Sequence, residues 1–184
     1  MKSIIKSSLI ALFMAINLQS FAQISSATIQ VAGLTCSMCS FSTEKAIRTL
    51  PFVKDVKTDL NTAEYEITFK SDQEINLDLI ADKVKGAGFS ISKLLAVVDF
   101  DNIEVKEDSH ISIGKNNFHI MNVSSKILNG RTQILYLDKN FMSPKEFKKL
   151  ASKSTYPCFE SGKKEDCCQN LTGSSSRIFH IKVV

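Results

Sequence analysis

The chain has 184 residues, 43% of them hydrophobic and 23% charged, with a formal charge of +4. At about 100–200 residues per domain, that length holds one ordinary domain or two small ones. So weak a positive excess does not point to nucleic acid, and setting aside Lys2 and Lys6 lowers it by two.

Residues 1–22 read as a secretory signal. Lys2 and Lys6 give a basic start, Leu9 to Ile16 a short apolar core, and Ser20-Phe21-Ala22 the small residues a signal peptidase reads. An apolar run this short does not span a bilayer core of roughly 30 Å. No cysteine sits near the cleavage point, so lipid anchoring is not indicated. The expectation is export to a periplasm or the outside, with the mature chain starting at Gln23 and no stable membrane insertion after cleavage.

From there to about residue 97, strand and helix patterns alternate. Ala27, Ile29 and Val31 alternate with Thr28, Gln30 and Ala32, the period of a strand with one buried face. From Cys39 the spacing becomes helical through Thr43, Ala46, Ile47 and Leu50, and Pro51 stops it. Val56, Thr58 and Leu60, then Tyr65, Ile67 and Phe69, alternate around a turn at Asn61-Thr62, which predicts a hairpin. Asn76 caps a second helix with Leu77, Ile80, Ala81 and Val84 inward, and Gly86 and Gly88 end it. Phe89, Ile91 and Leu94 begin another strand. The order strand, helix, strand, strand, helix, strand predicts an α+β, ferredoxin-like βαββαβ unit over residues 23–97.

Residues 98–184 predict a small β-rich domain with one helix, shaped as an open barrel. Strand patterns recur at Val97–Phe100, Ile111–Ile113, Phe118–Val123, Thr132–Leu137 and Phe179–Val183, with a tight turn at Asn129-Gly130. Ser143-Pro144-Lys145-Glu146 is a capping box with proline at the first helical position, opening a helix to about Ser152. Residues 155–176 read as a long loop tied by sulphur or metal.

The five cysteines are Cys36, Cys39, Cys158, Cys167 and Cys168. An odd number in an exported chain leaves at least one thiol free, metal-bound or paired outside the molecule, and export means an oxidising compartment. Cys36 and Cys39, with two residues between them where a loop enters a helix N-terminus, meet partial positive charge and free N–H groups that favour the thiolate. Two such thiolates suit a soft d10 ion in near-linear coordination, Cu(I) or Hg(II) and by extension Ag(I). Zn(II) is a further candidate ion, although it prefers four ligands and two cysteines do not supply them. Met38 between them reads as a surface or packing residue.

Residues 27–95 resemble the heavy-metal-associated domain of copper chaperones, of the tails of copper-transporting P-type ATPases and of the periplasmic mercury-binding protein. The resemblance rests on Gly33-Leu34-Thr35-Cys36-Ser37-Met38-Cys39, on Glu44-Lys45-Ala46-Ile47 and on Gly86-Ala87-Gly88-Phe89. It implies metal binding by Cys36 and Cys39, with a metal-transporting ATPase or efflux component as partner. Leu34 stands where the family usually has methionine. Phe89 stands where cytosolic chaperones carry lysine, which favours a receiving or scavenging domain over a cytosolic delivery chaperone.

Cys158, Cys167 and Cys168 leave two readings open. One is a disulfide from Cys158 to Cys167 or Cys168. The other is a second soft-metal site with His180 or His119 nearby. The three histidines, His110, His119 and His180, share no ligand-type spacing, and His119 and His180 read as paired or surface residues. No nucleophile motif or glycine-rich phosphate loop appears, so the expectation is a binding protein and not an enzyme. A thioredoxin-like exchanger needs a proline loop facing the thiols, and Pro51, Pro144 and Pro157 are not placed for one. The rival readings are that oxidoreductase and an adaptor with a metal-free scaffold.

Overall fold

The computed structural model describes residues 24–113 and 115–184, so the signal expected at 1–22 lies outside the described residues. Among the described residues no helix is long and apolar enough to cross a membrane.

The first six elements follow the expected order: β1 (Ile24–Ala32), α1 (Ser37–Arg48), β2 (Val53–Asp59), β3 (Glu64–Phe69), α2 (Leu77–Gly86) and β4 (Ser90–Val105). Ala27, Ile29 and Val31 of β1 are buried and the residues between them are partly open, as a half-buried strand requires. The strands pair antiparallel in the order β2-β3-β1-β4. The two helices pack on each other and against β2 and β4. Asn76 accepts from the Asp78 amide at 3.0 Å and caps α2, whose Leu77, Ile80, Ala81 and Val84 are all buried. This is the expected ferredoxin-like βαββαβ arrangement. Leu60 departs from expectation, because β2 ends at Asp59 and leaves it exposed in the turn.

The second half is β-rich, as expected, but its strands extend the first sheet and do not close into a barrel of their own. It comprises β5 (Ser109–Ile113), β6 (Asn116–Ile120), β7 (Lys126–Tyr136), α3 (Pro144–Ala151), α4 (Pro157–Ser161), a 3-10 turn (Asp166–Cys168) and β8 (Ile178–Val183). All eight strands form one sheet in the order β2-β3-β1-β4-β7-β8-β6-β5. The sixteen-residue β4 joins the halves, pairing with β1 along one edge and β7 along the other. The expected boundary at residues 97 and 98 falls inside this strand.

Two local expectations are corrected. Asn129-Gly130 is no turn: both residues lie within β7, which pairs with β4 on either side of them. Gly130, opposite Phe100, takes φ +68, and Asn102 takes φ +48 where the register shifts between Phe100 and Ile103. The positive-φ residues serve a β-bulge here. The segment 155–176, expected as loop, contains α4 and the 3-10 turn. Pro157 opens α4 and Gly162, at φ +65, closes it in the left-handed conformation. The capping box at α3 forms as read: the Ser143 hydroxyl donates to the Glu146 carboxylate at 2.6 Å and accepts from the Glu146 amide at 3.3 Å.

Candidate metal centre

β1 ends at Ala32, and Gly33 turns the chain at φ +91, a conformation that disfavours any side chain. Leu34 and Phe89 both pack against the core below this turn. The helix begins two residues earlier than its apolar spacing suggested, because Cys36 itself is the N-cap. Cys36 has extended backbone, its sulphur accepts from the Cys39 amide at 3.2 Å, and its carbonyl accepts from Ser40. A sulphur thus fills the place of the usual serine or aspartate oxygen. Cys36 is exposed and Cys39 half-buried.

The first turn of α1 is fixed from beneath. Tyr65, buried on β3, donates its hydroxyl to the Ser40 carbonyl at 3.2 Å, and Thr43 donates to the Cys39 carbonyl at 3.0 Å. At the far end, Arg48 bridges Glu44 at 2.7 Å and Asp55 at 2.9 Å, tying the helix to β2. No acidic residue occupies the first turn, so nothing there offsets the positive N-terminal end of the helix. The two thiols divide their protons unequally. Hydrogen bonds from the Cys39 side chain and then from its amide hold Cys36 below the ordinary thiol range. Donating to Cys36, together with desolvation, holds Cys39 above it. One ready thiolate and one thiol that ionises when metal arrives is a chemistry suited to capturing a soft cation. Met38, 69% exposed, and Phe41, 60% exposed, leave an apolar surface beside the sulphurs.

The other sulphurs also converge. Cys158 on α4 is fully buried, Cys168 is buried and Cys167 half-buried, and all five cysteines are free. The sheet brings the three histidines into a row, because His110 pairs with His119 across β5 and β6, and His119 with His180 across β6 and β8. The His110 and His119 rings stack at 4.1 Å. His119 and His180 are both fully buried, which excludes a surface role, and each is paired with a carboxylate. His119 Nε2 lies 3.3 Å from Asp108 Oδ1, and His180 Nδ1 lies 3.1 Å from Asp138 Oδ1. Their other ring nitrogens face Cys158 Sγ at 3.8 Å and 3.4 Å. Spacing along the chain hid this row, since the register of three strands creates it.

Three comparisons bear on the first site. The family described as the heavy-metal-associated domain matches residues 28–90. A probable copper-transporting ATPase of Arabidopsis thaliana, HMA5, is 38% identical over 69 residues, covering 38% of this chain. The match spans only 7% of that relative's length. Among solved structures, the yeast copper transporter domain Ccc2a, solved in apo and Cu(I)-loaded states, is 29% identical over 35% of this chain and 88% of its own, with a TM-score of 0.33. Oxidized MerP from Ralstonia metallidurans CH34 is 27% identical over 38% of this chain and 96% of its own, with a TM-score of 0.35. By sequence match and by order of elements, residues 28–90 are a heavy-metal-associated domain.

Proposed function

We propose that this chain is an exported carrier or scavenger of soft metal ions, holding one Cu(I) between Cys36 and Cys39. The observation that carries the reading is the cap geometry: an exposed, proton-poor sulphur at a helix N-terminus, with a second thiol three residues on. The domain type and the copper-transporting relative support copper over other thiophilic ions. Hg(II) and Ag(I) fit the same two sulphurs, whereas Zn(II) would need ligands that this loop does not supply.

A two-coordinate ion at an exposed loop admits a third thiolate from another protein, so metal passes on without being released. The apolar patch of Met38 and Phe41 is the contact surface for that exchange, and the acceptor is a metal-transporting ATPase or efflux component. Export rests on the sequence pattern of residues 1–22. The role is binding and transfer; no covalent step is assigned to the chain.

The test is anaerobic titration of the reduced protein with Cu(I) against a competing chelator. Wild type should withdraw one tightly held equivalent that the Cys36→Ser, Cys39→Ser double variant does not. Equal uptake by both proteins would overturn the assignment. A thiol oxidoreductase would instead turn over a model disulfide, which the carrier should not.

A further inference from the structure

We infer that the C-terminal half carries a second metal centre, at which Cys158, Cys167, Cys168 and His110 enclose one divalent d10 cation of the zinc class. One ligand atom from each of these four residues lies within 4.8 Å of all the others. A tetrahedral ion with metal–sulphur bonds of about 2.3 Å sets its ligands roughly 3.8 Å apart. Cys167 and Cys168 already sit at 3.4 Å, sulphur to sulphur. The remaining ligand atoms need to draw in from within 4.8 Å to that spacing. Three sulphurs and one imidazole form a complete structural zinc shell, unlike the two-sulphur loop of α1.

An independent observation comes from His110. Its Nδ1 is 3.0 Å from the Asp108 carbonyl, a contact that fixes the proton there and leaves the lone pair on Nε2. That Nε2 is buried and has no hydrogen-bond partner. A buried imidazole nitrogen without a partner is costly to keep, and a metal ion removes the cost. A backbone carbonyl on the other nitrogen is also the arrangement that orients metal-bound histidines.

The surroundings fit the same purpose. Leu171, Ile178 and Tyr156 pack about the sulphurs. His119 and His180 act as positioning residues: each anchors one nitrogen on a carboxylate and aims the other at Cys158 Sγ. The ion would join β5 to α4 and the 3-10 turn, stapling the irregular stretch 155–176 to the sheet.

The test uses the full chain with Cys36→Ser and Cys39→Ser, so that its outcome is independent of the α1 loop. The reduced protein is titrated anaerobically with Co(II), then with Zn(II) in competition. One equivalent of Co(II) should bind with the intense visible bands of tetrahedral coordination and a thiolate-to-cobalt charge-transfer band. Adding Cys167→Ser, a half-buried position, should lower that band and weaken Zn(II) binding by roughly tenfold or more, with the circular dichroism of the fold retained. His180→Gln should weaken binding by about 10–100-fold while leaving the charge-transfer band in place. No stoichiometric uptake, or the faint spectrum of six-coordinate Co(II), would overturn the proposal, and so would a Cys167→Ser spectrum identical to its parent's.

Discussion

Cys36 and Cys39 differ more than their symmetrical motif suggests. As the cap of α1, Cys36 receives hydrogen bonds that favour its thiolate, while Cys39 supplies them and is held as the thiol. A group whose folded pKa is depressed keeps its charge to lower pH. Alkylation of the reduced, metal-free protein should therefore reach half-maximal rate at Cys36 at a lower pH than at Cys39. Peptide mass spectrometry across a pH series reads this, and coincident or reversed midpoints would contradict it. His119 is the second residue with a strong pH signature. Burial, then the neighbouring His110 and His180, lowers its pKa from 6.5 to about 4. The folded state refuses a proton that the unfolded chain accepts, so the stability His119 contributes is present above 6.5, declines as pH falls from there, and is lost as pH falls through about 4. The loss amounts to about 3 kcal/mol. Denaturant unfolding in the presence of a chelator should show a shallower acid limb for His119→Gln than for wild type; equal limbs would contradict the assignment.

Among the elements, those with local instructions were legible and those made by distant pairing were not. The helical spacing from Thr43 to Ile47, the Asn76 cap and the Ser143-Glu146 box all appear where their chemistry puts them. Replacing Asn76 with alanine orphans an amide of the first turn of α2 and should cost about 1 kcal/mol in urea unfolding. An unchanged midpoint would mean that water caps the helix equally well. The Cys36-Cys39 spacing placed two sulphurs where the loop enters α1, but their unequal ionisation and the cap role of Cys36 were not legible, because cysteine is not a preferred capping residue. Asn129-Gly130 misled because a left-handed glycine serves a bulge as readily as a turn; only the pairing of β7 with β4 on both sides separates the two. The row of His110, His119 and His180 has no trace in sequence spacing, since it arises where β5, β6 and β8 lie side by side. Nor does β8 declare its position: it is buried almost throughout, inserted between β7 and β6 and parallel to β6.

At the scale of the whole molecule, the two halves are joined in more than one way. β4 belongs to both, and Arg177 adds a second link. Its guanidinium meets Asp78 on α2 at 3.0 Å and Asp138 after β7 at 3.0 Å, while Asp138 also accepts from the His180 amide and contacts its ring. A chain of charged contacts thus runs from the helix layer of the heavy-metal-associated domain to the buried row of histidines. Asp138 is almost wholly buried, so removing its partner strands a charge. Arg177→Met should destabilise the protein by about 3–5 kcal/mol, read as a lowered urea midpoint. A loss below about 1 kcal/mol, the worth of an exposed pair, would show that this link is not structural.

The division of labour proposed between the two sulphur clusters is tested most directly by X-ray absorption at the copper edge of the reduced protein carrying a single equivalent of Cu(I). A first shell of two sulphurs and no imidazole is predicted, and that two-coordinate signature should vanish when Cys36 and Cys39 are replaced by serine. Imidazole nitrogen in the shell, or a spectrum indifferent to that replacement, would put the copper among the histidines and contradict the α1 loop as its carrier.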